Sequence, residues 1–193
     1  SFSNPSGLDE ESANYSTAYD MALLMAYALD NEIFRKITGS KTYACKTKNG
    51  ESLYFVNKHR LIQSKDYVTG GKTGYTTSAK RTLVTSAMKN NMELIVVTFN
   101  CGNDWTVHEM LFDYGYENYT MQVFHRGEII KINDNFYPTP YLIYDLKYPV
   151  KKDDNIKYVI KLLKNPGNRL QIGRAEIYLD EKLVYSVPIY RYY

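Results

Sequence analysis

Apolar positions near the start of the chain repeat with the period of a helix. After a loop over residues 1–15, Thr17 to Asp20 spells T-x-x-D, a capping box that begins a helix. A second short helix is predicted from Asn31 to Ile37, closed by Gly39. The apolar residues of the first helix have the i, i+3, i+4, i+7, i+8 spacing of one face: Met21, Leu24, Met25, Ala28 and Leu29.

Four strands are predicted in the middle of the chain from β-rich runs and the turns between them. Asn49-Gly50 is a strong hairpin signal between the first two runs. A polar loop follows, and Asn90-Asn91 then separates the second two, the last of which is apolar on both faces and is expected inside a sheet. The four runs are Tyr43–Thr47, Ser52–Val56, Arg81–Met88 and Glu93–Phe99.

The end of the chain has a different texture from the rest. A last helix is predicted where Asp104 or Thr106 can cap it, and it is expected to run to Tyr114 and stop at Gly115. From Val123 onward no amphipathic helix is evident, which predicts a second, all-β module joined near residues 118–121. Its β-rich runs are Ile129–Ile132, Leu142–Leu146, Ile156–Leu162, Leu170–Leu179 and Lys182–Ile189.

Composition narrows the classes of function. The 193 residues carry 24 Lys and Arg against 21 Asp and Glu, a net charge of +3 that gives no basic footprint for nucleic acid. Hydrophobic residues make up 44%, which excludes global disorder, and the longest apolar run, residues 21–29, is too short to cross a bilayer. Cys45 and Cys101 are expected to be separate, small buried residues, although a disulfide stays open.

One short string carries chemistry, Lys72-Thr73-Gly74-Tyr75-Thr76. K-T-G is the third motif of serine β-lactamases and penicillin-binding proteins. Lys72 supplies a positive charge for a substrate carboxylate, and the Thr73 hydroxyl can bind the same group. Because Gly74 has no side chain, a substrate backbone can lie along this strand. A tripeptide alone is a weak signal, and an ordinary Gly-rich turn is the alternative.

The segments around this string resemble one family along almost the whole chain. Residues 4–9, Asn-Pro-Ser-Gly-Leu-Asp, and residues 15–22 resemble "NPxGLD…YSTAxDMA" of D-alanyl-D-alanine carboxypeptidases, the low-molecular-mass penicillin-binding proteins. Residues 57–62 resemble their "NxNxLL" element, with His59 where the second Asn usually stands. Asp113-Tyr-Gly-Tyr116 resembles the helix end "LldyGF", and residues 172–179 resemble part of the C-terminal β-sandwich.

The resemblance implies an α+β fold in two parts. Residues 1–120 would be the C-terminal portion of a β-lactamase/transpeptidase-like catalytic domain, an antiparallel sheet with helices, and residues 121–193 a small all-β sandwich. It also implies a serine-type D-Ala-D-Ala carboxypeptidase that removes the terminal D-Ala from peptidoglycan stem peptides through an acyl-enzyme and binds β-lactams. Such enzymes need no metal or organic cofactor, act outside the cytoplasm and are usually membrane-associated.

The resemblance also assigns roles to the motif. Lys72, the catalytic residue of the set, and Thr73 would hold the terminal carboxylate of the substrate. The Tyr75 backbone N–H would be one of two oxyanion donors. Gly74 and Thr76 would complete the substrate-binding strand. We expect this strand at the edge of a sheet beside an open cleft, with the two strand runs that follow it as its successive antiparallel neighbours.

Two motifs of the family precede its "NPxGLD" segment and have no match here, namely the S-x-x-K with the nucleophile and S-x-N. Ser86-Ala-Met-Lys89 imitates the first, but residues three apart on a strand point to opposite faces, so Lys89 cannot serve Ser86 as a base. Ser12-Ala-Asn14 imitates the second inside the entry loop. This chain alone is therefore expected to be inactive, and to pair either with its own N-terminal segment or with another molecule through an intermolecular contact that replaces this segment.

Two other functions stay open. A β-lactamase-like hydrolase uses the same K-T-G chemistry but would lack the β-rich tail, whereas a non-catalytic cell-wall-binding fragment would keep the fold without any nucleophile. No metal site is predicted, because His59, His108 and His125 share no metal-binding spacing. Trp105 is expected to pack at a helix start rather than rim the cleft.

Overall fold

The computed structural model describes residues 1–8, 14–125, 140–164 and 167–191. They belong to two compact units, Ser1–Glu117 and Asn118–Tyr193. Among these described residues, no helix is both long enough and apolar enough to cross a membrane. The elements of the first unit are α1 (Ala18–Leu29), α2 (Glu32–Gly39), β1 (Thr42–Lys46), β2 (Ser52–Val56), α3 (Arg60–Ser64), β3 (Val68–Thr76), β4 (Lys80–Lys89), β5 (Met92–Phe99) and α4 (Asp104–Asn118).

The first two helices begin where the sequence predicts them, at Thr17 and Asn31. The Thr17 hydroxyl accepts a hydrogen bond from the Asp20 N–H at 3.0 Å, and α1 follows. The Asn31 side chain accepts from two backbone N–H groups at 2.9 and 3.1 Å at the start of α2. Each cap satisfies amides that have no partner within the helix, which fixes where the helix begins. Both predicted helices are confirmed.

The central sheet has the order β3-β4-β5, and both pairs are antiparallel. Asn90 and Asn91 both adopt positive φ, 53° and 59°, in the two-residue turn between β4 and β5. Asn tolerates this left-handed conformation better than most residues, so the predicted turn and both strands are confirmed. The expectation that the second of these strands lies inside a sheet is wrong for the described residues, where β5 pairs only with β4 and therefore forms an edge. Strand β3 is an edge of this sheet among the described residues, since it pairs only with β4. The hairpin of β1 and β2 also has the predicted pairing.

Helix α3 lies in the segment that the sequence predicts as a polar loop. It has only five residues, yet Leu61 and Ile62 are buried in a core with Val68, Ala87 and Phe112. A helix this short shows no apolar repeat along the sequence, and its burial against the sheet and α4 stabilises it. The loop prediction is therefore wrong over residues 60–64, and it is wrong again over residues 68–71, where β3 begins ahead of the motif.

Helix α4 continues through Gly115 to Asn118, so the predicted stop at Gly115 is wrong. A Cβ at Gly115 would lie 2.5 Å from Cδ1 of Leu94 on β5. Gly115 is therefore a close-contact residue between helix and sheet and not a helix terminator.

The described residues of the second unit form strands in two antiparallel sheets. Their side chains share one core, which includes Leu146, Ile172, Ile177 and Ile189. Sheet orders are β7-β11-β10-β9 and β6-β8. The strands are β6 (Tyr119–Phe124), β7 (Pro140–Leu142), β8 (Leu146–Lys151), β9 (Ile156–Leu162), β10 (Gln171–Leu179) and β11 (Lys182–Arg191).

Three of the predicted β-runs of this unit coincide with β9, β10 and β11. The predicted strand Leu142–Leu146 is wrong, because the chain bends within it and the two leucines belong to different strands, β7 and β8. Both leucines are buried in the common core, which the bend allows. The run Ile129–Ile132 lies outside the described residues.

Candidate active site

The segment Lys72–Thr76 borders an open groove of about 520 Å³. Residues 5–8 and Met21 also line it, together with residues of β4 and β5. This volume is in the range of small-ligand sites. The prediction that the motif lies on an edge strand beside an open cleft, with two antiparallel neighbours, is confirmed.

The chain start that lines the groove is a turn organised by Asn4. Its Oδ1 accepts from the Ser6 hydroxyl at 2.8 Å and from the Gly7 N–H at 2.9 Å, and its Nδ2 donates to the Leu8 carbonyl at 2.9 Å. Gly7 has a φ of +74°, which side-chain-bearing residues rarely adopt. Asn, Pro and Gly in this order therefore form a local turn whose residues 5–8 line the groove.

The charge in the groove comes from Lys72. Among the described residues that line the groove, Lys72 is the one charged residue, and its ammonium donates to the Thr73 carbonyl of the same strand. Lys72 is exposed, and the neighbouring Tyr75 is 69% exposed. No described carboxylate pairs with this ammonium, and an ammonium beside hydroxyls and backbone amides suits an anionic group of the size of a carboxylate.

Two further residues of the motif shape the strand. A Cβ at Gly74 would lie 2.3 Å from the Thr82 hydroxyl on β4, so glycine permits this close approach. Thr76 accepts from the Ala79 N–H at 3.0 Å and thereby closes the turn from β3 into β4. Both contacts fix the end of the strand that borders the groove.

The structure separates Ser86 from Lys89. Ser86 is fully buried on β4 and its hydroxyl lies 2.9 Å from the Thr69 hydroxyl. The Lys89 ammonium instead lies 5.7 Å from the centre of the Tyr116 ring. This is the arrangement expected for residues three apart on a strand. Ser12 lies outside the described residues, and Asn14 binds the backbone N–H of Ser3.

A buried polar cluster behind the motif was not predicted. His59, Thr85 and His108 are each at most 1% exposed, and the Thr85 hydroxyl contacts both imidazoles. Burial lowers the pKa of His59 and of His108 to about 4, so both are neutral at neutral pH. The sequence signal for the cluster is His59 itself, an ionisable residue next to buried Leu61 and Ile62.

Trp105 takes the packing position that was expected for it. Its ring contacts His59 edge-to-face with centroids 5.1 Å apart, and the Arg81 guanidinium lies 5.7 Å from its centre. Cys45 and Cys101 are free thiols and only half-buried, so the expectation of full burial is wrong. Within the described part of the chain, no group of His, Cys, Asp and Glu has the arrangement of a metal site.

Comparison with known proteins gives one family. The D-alanyl-D-alanine carboxypeptidase family model matches residues 1–103, and the chain belongs to this family. Carboxypeptidase DacF of Bacillus subtilis is 43% identical over 99 residues, which are 51% of this chain and 25% of that protein. Carboxypeptidase DacB2 of Mycobacterium tuberculosis is 34% identical over 119 residues, 58% of this chain and 40% of the relative.

The solved structure of penicillin-binding protein 5 from Haemophilus influenzae has the same fold. It superposes with a TM-score of 0.74 at 26% identity and covers 98% of this chain. The match confirms the predicted α+β class with antiparallel sheets. The chain covers 59% of that structure and well under half of each of the two curated relatives, so it corresponds to a part of their length.

Proposed function

We propose that this chain supplies the carboxylate-binding part of a serine-type D-Ala-D-Ala carboxypeptidase. The enzyme would remove the terminal D-Ala from peptidoglycan stem peptides through an acyl-enzyme and would be acylated by β-lactams. The observation that carries the proposal is the groove beside β3, in which Lys72 is the one charged residue among the described lining residues. A peptide that ends in a free carboxylate brings the complementary charge.

On this chain the motif binds the substrate and polarises the carbonyl group that is attacked. The Lys72 ammonium and the Thr73 hydroxyl hold the substrate carboxylate, and the substrate backbone lies along the edge of β3 beside Gly74 and Thr76. The Tyr75 backbone N–H donates to the carbonyl oxygen as it gains negative charge. A strand edge suits this task because its outward N–H and C=O groups can pair with an extended peptide.

The nucleophile of the reaction is proposed to lie outside these 193 residues. A serine oxygen attacks the carbonyl carbon of the penultimate D-Ala and its proton passes to a base. The C–N bond then breaks, the terminal D-Ala leaves with a proton on its nitrogen, and water hydrolyses the ester. Ser86 does not fit this role, because it is buried against Thr69 and has no contact with Lys89.

The partner of this chain in catalysis is proposed to be the nucleophile-bearing segment of the same domain. Helices α1 and α2 line an apolar groove of about 720 Å³. Exposed apolar surface of this kind is typical of a face that another segment covers. The large exposed residues there are Leu24, Tyr27, Ile33 and Ile37.

The presence of the second unit favours a carboxypeptidase over a β-lactamase-like hydrolase, since the latter was expected to lack the β-rich tail. The substrate is a cell-wall peptide, so the proposed place of action is outside the cytoplasm, with the complete enzyme associated with the membrane. No metal or organic cofactor enters the proposed reaction.

The test uses the complete enzyme, meaning this chain together with the nucleophile-bearing part of the domain. Lys72→Ala should lower kcat/KM for a peptide ending in D-Ala-D-Ala roughly a hundredfold, because a charge-assisted contact is lost. This corresponds to about 3 kcal/mol of transition-state stabilisation. Ser86→Ala is the control and should leave kcat/KM nearly unchanged. Near-normal activity of Lys72→Ala, or loss of activity in a folded Ser86→Ala enzyme, would contradict the proposal.

A further inference from the structure

Four side chains form a continuous hydrogen-bonded chain inside the first unit. Nε2 of His59 lies 2.9 Å from the Thr85 hydroxyl oxygen, which lies 2.8 Å from Nδ1 of His108. Nε2 of His108 lies 3.0 Å from the hydroxyl oxygen of Thr98. Thr85 on β4 pairs across the sheet with Gly71, the residue before the lysine of the motif. This series of hydrogen-bonded side chains therefore reaches β3 directly beside the groove.

The donor and acceptor of each of these hydrogen bonds follow from the number of protons that the four side chains carry. Thr85 has one hydroxyl hydrogen and two lone pairs, so it can donate to at most one of the two imidazoles. Nδ1 of His59 is buried and has no hydrogen-bond partner in the described structure. A buried N–H without an acceptor costs more than an idle acceptor, so the proton of His59 lies on Nε2. His59 then donates to Thr85. We assign the Thr85 hydrogen to Nδ1 of His108, which leaves Nε2 of His108 to donate to Thr98.

The imidazole of His59 also fills the space in front of Gly71. A Cβ at residue 71 would lie 2.6 Å from Nε2 of His59, 2.8 Å from its Cδ2 and 2.4 Å from the Val84 carbonyl oxygen. Trp105 contacts the same imidazole edge-to-face. The preceding residue of β3 packs against α2, since a Cβ at Gly70 would lie 2.7 Å from Oγ1 of Thr38, whereas at Gly71 itself the close contacts come from β4 and His59.

We propose that His59 is a positioning residue for Lys72: its imidazole, held by Thr85, fixes Gly71 and thereby the distance of the Lys72 ammonium from a bound carboxylate. This inference rests on the proposed function, because it assumes that Lys72 binds the carboxylate. His59 itself is buried behind the strand and makes no contact with substrate. Replacement of His59 is therefore expected to change only the selectivity for a carboxylate and the positions of the other groups on the same strand.

The experiment compares two substrates on the complete enzyme. One is a peptide ending in D-Ala-D-Ala with a free carboxylate, and the other is the same peptide with a C-terminal amide. The readout is the ratio of their kcat/KM values, which does not depend on the fraction of enzyme that is folded. His59→Ala should lower this ratio roughly tenfold, because a strand shift of a fraction of an ångström misplaces the ammonium. His59→Gln, whose amide can donate from the place of Nε2, should keep the ratio within about twofold.

Two control variants distinguish a failure of the positioning role from a failure of the proposed function. Lys72→Ala tests the proposed function on the same two substrates, and His125→Ala, an exposed histidine of the second unit, should leave the ratio unchanged. If Lys72→Ala lowers the ratio and His59→Ala does not, the positioning role is wrong and the proposed function stands. If Lys72→Ala leaves the ratio unchanged, the proposed function is wrong and the inference with it.

A second readout needs no activity. Nitrogen-15 NMR of the 193-residue chain distinguishes the two neutral tautomers of each histidine. At neutral pH, His59 and His108 should both carry their proton on Nε2. A proton on Nδ1 of His59, or a charged His59, would overturn the proposed hydrogen-bond direction.

Discussion

The guanidinium of Arg81 binds the carboxylate of Asp104 through two hydrogen bonds, Nε to Oδ2 at 3.0 Å and Nη2 to Oδ1 at 2.6 Å. Arg81 lies on β4 next to the turn that follows the motif, and Asp104 is the first residue of α4. The Asp104 side chain is 3% exposed, whereas that of Arg81 is 43% exposed. The pair therefore joins the start of α4 to the sheet and supplies the charge that Asp104 needs in a buried position.

Removal of Arg81 should destabilise the first unit. Arg81→Ala leaves a buried carboxylate without its partner, which we expect to cost about 2 kcal/mol, below the usual range for buried pairs because water reaches Arg81. Lys41→Ala is the control, since the Lys41–Asp66 pair is exposed and its loss should cost less than about 0.5 kcal/mol. The free energy of unfolding in urea measures both. Equal effects of the two variants would show that the Arg81 pair has no special role.

The two buried histidines should make stability depend on pH. Their pKa values are about 4 in the folded chain, against the ordinary 6.5 that applies when it unfolds. Between these values the unfolded chain binds protons that the folded chain does not, so stability falls as pH falls from 6.5 towards 4. Above 6.5 their contribution is complete and constant. The slope is at most about 1.4 kcal/mol per pH unit for each histidine.

Denaturant unfolding between pH 7.5 and 4.5 measures this slope. His59→Gln removes one of the two groups and should reduce the slope relative to the unaltered chain. His125→Ala is the control, because it removes a histidine that lies outside the buried cluster, and comparison of its slope with that of His59→Gln isolates the effect of His59. A slope that is the same in the unaltered chain and in His59→Gln would mean that His59 titrates normally.

The contact between Gly115 and Leu94 predicts a change in stability for Gly115→Ala. The sign of this change shows whether packing or helix propensity dominates at this position. Ala is a better helix former than Gly by about 1 kcal/mol, but its Cβ would meet Leu94 Cδ1 at 2.5 Å. Overpacking of this kind costs about 1–3 kcal/mol, so Gly115→Ala should lower the melting temperature. The double variant Gly115→Ala/Leu94→Ala should be less destabilised than the sum of the two single variants. A melting temperature that rises in Gly115→Ala would show that the Leu94 side chain moves away freely.

Local signals in the sequence predict much of this fold. Thr17 and Asn31 cap their helices by bonding the next amides, and Asn49-Gly50 sets its hairpin without help from distant residues. Helix α3 and the long end of α4 depend instead on packing against the sheet. Such contacts join residues far apart in the sequence, and single-chain patterns do not contain them.

The candidate site likewise has one part that the sequence predicts and another part that depends on tertiary packing. The strand Lys72–Thr76 and its edge position follow from the motif and from the two apolar runs behind it. That residues 5–8 also line the groove could not be deduced from pattern alone, since it depends on how the first turn folds back. The position of His59 behind Gly71 is of the same kind, because it depends on the register of β3 against β4.

We propose that these 193 residues carry the carboxylate-binding strand but not the nucleophile. The measurement that tests it most directly is incubation of the purified chain with a labelled penicillin, followed by mass spectrometry, beside the complete enzyme as positive control. We expect no acyl adduct on the chain alone and a stoichiometric adduct in the complete enzyme, on a serine outside residues 1–193. A stoichiometric adduct on Ser86, Ser12 or any other serine of this chain would contradict the account.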